Sequence, residues 1–274
     1  MHKVKRFYLK VGGFNFVCVL RLTEHGYPNH KFAELLENEY SDFFSKKVSR
    51  PDFTLDFNTT GVVNFNSKKT DLKDMNAYFF HLFSFDKKKR RLYFDHPVGQ
   101  FEFEFIINTL MSQYLLPSNN GFNLHGSAVV YGDNAYLFEG VSGAGKSTTS
   151  QLLKGLCDIL SDGSLVVRKE KNKFYAYETI IHDKKWNFKR LNKGFPVKKV
   201  FFVRKSDNCS VEEIKNKTFV LQKFLRRVFA YEGKLSTRFK LIAEFVSRTD
   251  FYYIYVKKDG KIFKDFFKKE ILRI

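Results

Sequence analysis

The stretch Gly140-Val-Ser-Gly-Ala-Gly-Lys146-Ser147 matches G-x-x-x-x-G-K-[ST], and its flanks constrain the fold more than the match does. Residues 134–138 read as an apolar strand running straight into the glycines, and residues 148–156, with Leu152 and Leu153, read as a helix leaving them. Strand, loop and helix in that order require a sheet that ends at the loop, so this part of the chain must build an α/β domain. Gly140, Gly143 and Gly145 let backbone N–H groups converge on one point, and the dipole of the following helix adds to a field that favours a phosphate chain. Lys146 can follow the transferring charge as a cation, and the Ser147 hydroxyl can coordinate a metal. Ser142, Ala144 and Thr148 complete the expected nucleotide-binding set, and ATP with Mg²⁺ are the expected cofactors.

A nucleotide loop needs a carboxylate to hold metal or to polarise an acceptor. The next strand-like run, LCDILSDG at residues 156–163, supplies Asp162 only 16 positions after Lys146. Asp162 can be that carboxylate, or it can be a turn residue, because Asp-Gly before an apolar run is also a hairpin signal. Asp158 is the spare candidate, inside the strand run. His125 falls in a strand read over residues 123–131, where a histidine is ordinarily satisfied by its neighbours.

Elsewhere the pattern divides the chain. Residues 7–20, 53–57 and 78–85 are dense in aromatic and β-branched residues, and residues 30–44 carry Phe32, Leu35, Leu36 and Tyr40 at helical spacing. The run Lys87-Lys88-Lys89-Arg90-Arg91 reads as an exposed hairpin turn or sheet edge. Phe103, Ile106, Ile107, Leu110 and Tyr114 predict a helix ending before Pro117, and Pro117-Ser-Asn-Asn-Gly121 has the composition of a boundary. The expected organisation is a small α+β region over residues 1–116 and a P-loop domain over 117–274. In the second part, residues 164–168 and 174–177 flank a charged turn, and 200–203 and 251–256 read as strands. Amphipathic helices carry Leu221, Phe224, Leu225, Val228 and Phe229, then Phe239, Ile242, Ala243 and Val246, and a terminal helix covers 262–272.

Composition narrows the partners. The 48 Lys+Arg against 29 Asp+Glu give +19, a balance that suits polyanions. The same chain holds 33 Phe and many Lys and Asn, residues with A/T-rich codons, so a biased base composition accounts for much of the charge and nucleic acid is not the expected main partner. No run reaches the roughly 18 uninterrupted apolar residues of a membrane helix, and no membrane partner is expected. Cys18, Cys157 and Cys209 are scattered without metal-ligand spacing, which fits a reducing, cytoplasmic setting.

The combination Leu124-His-Gly-Ser-Ala-Val-Val, then the glycine loop, then Leu-Ser-Asp162 resembles the catalytic domain of the HPr kinase/phosphorylase family, which shares its fold with ATP-dependent phosphoenolpyruvate carboxykinase. The resemblance covers residues 123–203 and implies a P-loop kinase domain of that type. It also implies that Lys146 and Ser147 bind phosphates and Mg²⁺, that Asp162 is metal ligand and base for a serine hydroxyl, and that His125 sits beside the transferring phosphate. The implied acceptor is a peptide or small protein, and self-association is implied by relatives that form hexamers. Where the family shows Asp-Asp this chain has Asp162-Gly163, so a nucleotide-binding regulator or scaffold with weak or lost catalysis is the alternative. An ABC-type ATPase is disfavoured because no S-G-G-Q-like signature follows the loop.

Overall fold

The computed structural model describes residues 3–22, 27–57, 83–94, 98–181, 189–225 and 235–273. The chain divides into two compact units, Met1–Leu110 and Met111–Ile274. Each carries a mixed sheet, an arrangement consistent with an α/β nucleotide-binding protein.

In the first unit, β1 (Lys3–Val11) and β2 (Phe14–Leu22) form a hairpin, where the sequence suggests one long strand region. The chain reverses at Gly12-Gly13, both at positive φ (59° and 80°), the backbone a tight two-residue hairpin turn demands. With β3 (Phe53–Phe57), β4 (Phe83–Asp86) and β5 (Arg91–Phe94) the order is β1-β2-β3-β5-β4. Alternate residues such as Phe16, Leu20, Leu55 and Phe94 are buried on one face. Helices α1 (Tyr27–Glu39) and α2 (Gln100–Leu110) join that core, Phe32 lying 4.7 Å from the Phe57 ring and 5.4 Å from Phe103. Buried Asp56 accepts from Arg91 at 2.6 Å and Arg21 at 3.4 Å. Residues 87–90 of the basic run form the exposed turn of the β4–β5 hairpin, as composition suggests, while Arg91 opens β5. Of the expected strand at 78–85, residues 78–82 lie outside the described residues.

The second unit opens with a π-helical turn (Met111–Leu115) and α3 (Leu116–Ser118). Pro117 therefore sits inside a helical segment, directly after helical Leu115 and Leu116, and not beyond a helix end. Then come β6 (Gly121–Leu124), β7 (Ser127–Tyr131), β8 (Asn134–Glu139), α4 (Lys146–Leu152) and β9 (Asp158–Ser161). They are followed by β10 (Leu165–Glu170), β11 (Lys173–Glu178), β12 (Phe195–Lys205) and β13 (Ser210–Glu213). The unit closes with α5 (Lys217–Leu225), α6 (Leu235–Arg248), β14 (Asp250–Val256), α7 (Gly260–Phe266) and a π-helical turn (Phe267–Leu272). Val228 and Phe229, expected on the α5 face, lie outside the described residues.

The sheet order is β6-β10-β11-β12-β8-β7-β9, with β14 also beside β12 and β13 beside β14. Long β12 pairs with three strands: β11 at its start, then β8 and β14, both parallel to it. Both sheet faces are covered, which is why strands such as VFFV at 200–203 read as unbroken apolar runs. On one face Phe122, Phe224, Phe245 and Phe251 pack edge to face and tilted; on the other Phe138 stacks on Phe201 at 5.6 Å and Phe267 closes the cluster. Each such phenylalanine contributes roughly 1.5–3 kcal/mol by leaving water. Among the described residues no helix is long and apolar enough to cross a membrane.

All three cysteines are free thiols. Burial raises the Cys18 thiol pKa, and burial followed by the Asp158 charge pushes Cys157 up to about 12. A raised thiol pKa removes the reactive thiolate at pH 8. A soluble aromatic disulfide should therefore modify one thiol rapidly in the native protein, half-buried Cys209, and three after denaturation. Rapid native modification of a second thiol would contradict this packing.

Candidate functional site

The loop at residues 140–145 leaves the C-terminal end of β8 and enters α4. Gly145, preceding the helix, has φ +99°, a left-handed conformation that L side chains rarely adopt. The loop closes on itself through Ala144 N–H to the Val141 carbonyl at 3.1 Å, and Thr149 N–H reaches the Gly145 carbonyl at 2.8 Å. Val141, Ser142 and Gly143 form its exposed rim. Lys146 is buried, and its Nζ donates to the carbonyls of Gly140 (3.0 Å) and Val141 (3.3 Å). The start of α4 is fastened to the sheet: Ser127 Oγ donates to the Lys146 carbonyl at 2.8 Å, and Ser150 Oγ donates to Ser127 Oγ at 2.8 Å. The helix is shorter than expected, stopping at Leu152, with Gly155 at φ +88° in the turn that follows.

Asp162 comes to the same place from the other side of β7. Strand β9 pairs with β7, and β10 with β6 and β11, so Asp162-Gly163 is a crossing between strands and not a hairpin turn. The Ser147 hydroxyl donates to the Asp162 carbonyl oxygen at 2.6 Å, and Asp162 is 3% exposed. Ser147 and Asp162 are thus neighbours across 15 positions of sequence. A Cβ at Gly163 would meet nothing within 4 Å, so there is room for a second carboxylate where the chain carries none. Asp158 is exposed at the far end of β9.

His125 is not inside a strand. The expected strand over 123–131 breaks at His125-Gly126, because β6 pairs with β10 while β7 pairs with β8 and β9. His125 is exposed at that break. Gly126 passes so close to β8 that a Cβ there would lie 2.8 Å from the Phe138 carbonyl oxygen and 3.6 Å from Glu139 Oε1. Gly126→Ala must move backbone and is expected to cost about 1–3 kcal/mol, read as a lower midpoint of thermal or denaturant unfolding. An unchanged midpoint would mean that the crossing widens freely.

Sequence reasoning missed Glu139. It is fully buried at the end of β8, and its Oε2 accepts from Gly140 N–H at 3.0 Å, bracing the first glycine of the loop. An acidic residue ending an apolar strand directly before the glycines was the available signal. Two arginines of the second unit are engaged elsewhere: Arg190 is 8% exposed and lies 3.7 Å from buried Glu178, whereas Arg204 stacks over Tyr253 with its guanidinium carbon 3.9 Å from the ring centroid.

No protein-family model matches the chain, and no curated protein matches it. A solved structure of the HPr(Ser) kinase/phosphatase from Coxiella burnetii is similar over 46% of this chain and 88% of that one, at 14% identity and a TM-score of 0.26. A likeness that low leaves the reading of the site to its own residues.

Proposed function

We propose that the protein is an ATP-dependent kinase of the HPr kinase-like type, transferring the γ-phosphoryl group to a serine hydroxyl of a peptide or small protein. The observation that carries the reading is the meeting of Ser147 and Asp162 beside a glycine loop that holds Lys146. A phosphate loop with a hydroxyl and a carboxylate residue at one point is the minimal equipment for phosphoryl transfer, which depends mainly on positioning and charge neutralisation.

The donor set suits Mg²⁺, which takes one or two protein oxygens and fills its remaining positions with phosphate and water oxygens. Among the described residues no group of three or more His, Cys, Asp or Glu forms a cage for a metal held by protein alone. Ser147 and Asp162 would hold the ion, and bound there it neutralises charge on the phosphate oxygens. The loop N–H groups and Lys146 bind and orient the triphosphate. Asp162 takes the proton from the serine hydroxyl as its oxygen bonds to the γ-phosphorus, and the bond from that phosphorus to the bridging oxygen of ADP breaks. His125, exposed at the strand break, is assigned a place beside the transferring phosphate by the sequence resemblance.

A nucleotide-binding regulator with weak or lost catalysis is the second reading, favoured by the open position at Gly163. Transfer of labelled γ-phosphate from ATP·Mg²⁺ to serine-containing peptides and an HPr-type carrier separates the two. Label on serine that disappears in Lys146→Ala and Asp162→Asn supports the kinase; tight ATP binding without transfer supports the regulator.

A further inference from the structure

We infer that Lys205 is a second phosphate-binding cation at the glycine loop, a role that rests on the reading of that loop as a nucleotide site. Strands β8 and β12 run parallel with Phe201 opposite Phe138 and Phe202 opposite Glu139. The three residues that end β12 therefore run beside the residues that open the loop. The approach is close: a Cβ at Gly140 would lie 3.5 Å from the Val203 carbonyl oxygen.

Side chains alternate along β12. Phe201 and Val203 belong to the cluster that also holds Leu153, just after α4, so Lys205 continues on the face where the loop and its helix lie. Its Cε is 4.0 Å from the point where a Cβ at Gly145 would stand. Arg204 takes the opposite face, over Tyr253, with its Nη1 3.4 Å from the Tyr255 hydroxyl. Only the lysine of the pair is aimed at the loop. Two lysines thereby serve the loop: Lys146, whose Nζ lies at the carbonyls of Gly140 and Val141, and Lys205, whose side chain approaches Gly145 from the neighbouring strand. A triphosphate brings several negative charges to one point, and Lys205, exposed at the end of β12, adds a second cation whose backbone position is fixed by the parallel pairing.

The test is titration of wild type, Lys205→Ala and Lys205→Arg with ATP·Mg²⁺ and with AMP, alongside the unfolding midpoint of each nucleotide-free protein. Lys205→Ala should weaken ATP roughly ten- to a hundredfold, the weight of a charge-assisted hydrogen bond. It should change AMP affinity less than about twofold and leave the midpoint unchanged, and Lys205→Arg should restore most of the ATP affinity. Equal ATP affinity in wild type and Lys205→Ala would overturn the role of Lys205 and leave the loop as a nucleotide site. Parallel losses for ATP and AMP, or a lowered midpoint, would overturn it in favour of a packing role. A wild-type protein that binds no ATP would overturn both the nucleotide site and the lysine's part in it.

Discussion

Asp162→Asn is expected to lower phosphoryl transfer to serine by about 10²–10⁴-fold, the range that a positioned general base supplies. The two side chains have nearly the same shape. The contact that joins this residue to the loop uses its main-chain carbonyl, which accepts from Ser147 at 2.6 Å, so the substitution leaves that link intact. On the proposed function, what disappears is the proton acceptor and a negative charge for the metal. Single-turnover transfer at saturating Mg²⁺ isolates the first loss, and a Mg²⁺ titration reports the second as a shifted requirement. An unchanged unfolding midpoint confirms that the buried amide is accommodated. Transfer within threefold of wild type would remove Asp162 from the chemistry and favour the regulator.

Lys146→Ala is expected to cost about 10²–10³-fold in transfer, comparable to the removal of one preorganised donor to developing charge, and to weaken ATP as well. Two effects are combined in it. The proposed phosphate contact loses its ammonium, and the carbonyls of Gly140 and Val141 lose the donor that braces them at 3.0 and 3.3 Å. Lys146→Met keeps the length of the side chain without the ammonium, so a similar loss in both variants assigns the effect to the ammonium group and not to side-chain packing. Arginine would not be a conservative replacement, because its planar fork has a different reach and geometry from a point charge. Wild-type transfer by Lys146→Ala would show that the loop does not hold the phosphoryl donor.

The loop and its helix were legible because the glycine pattern constrains backbone and chemistry together, and the short step from Lys146 to Asp162 was legible because it spans a single helix and strand. The break at His125-Gly126 was not. Strand-like residues stand on both sides of His125-Gly126-Ser127, and periodicity cannot report that a strand changes partners. The Asp162-Gly163 pair misleads in the same way: locally it is a good turn, but tertiary pairing sends β9 to β7 and β10 to β6 and β11. Lys205 was beyond reach, since its place over Gly145 depends on a parallel register between strands far apart in the chain. Basic residues ending a strand are too common to single out.

The three-way pairing of β12 also sets an order of assembly. Strand β8, which carries the loop, takes its parallel neighbour from residues beginning at Val197, 58 positions beyond Glu139. Until that stretch leaves the ribosome, β8 has β7 on one side and a bare edge on the other, and β14, which follows later in the chain, can join the sheet only once β12 is in place. Closing so distant a contact is slow relative to local structure. The glycine loop can be synthesised early and still be among the last parts of the second unit to acquire its final shape.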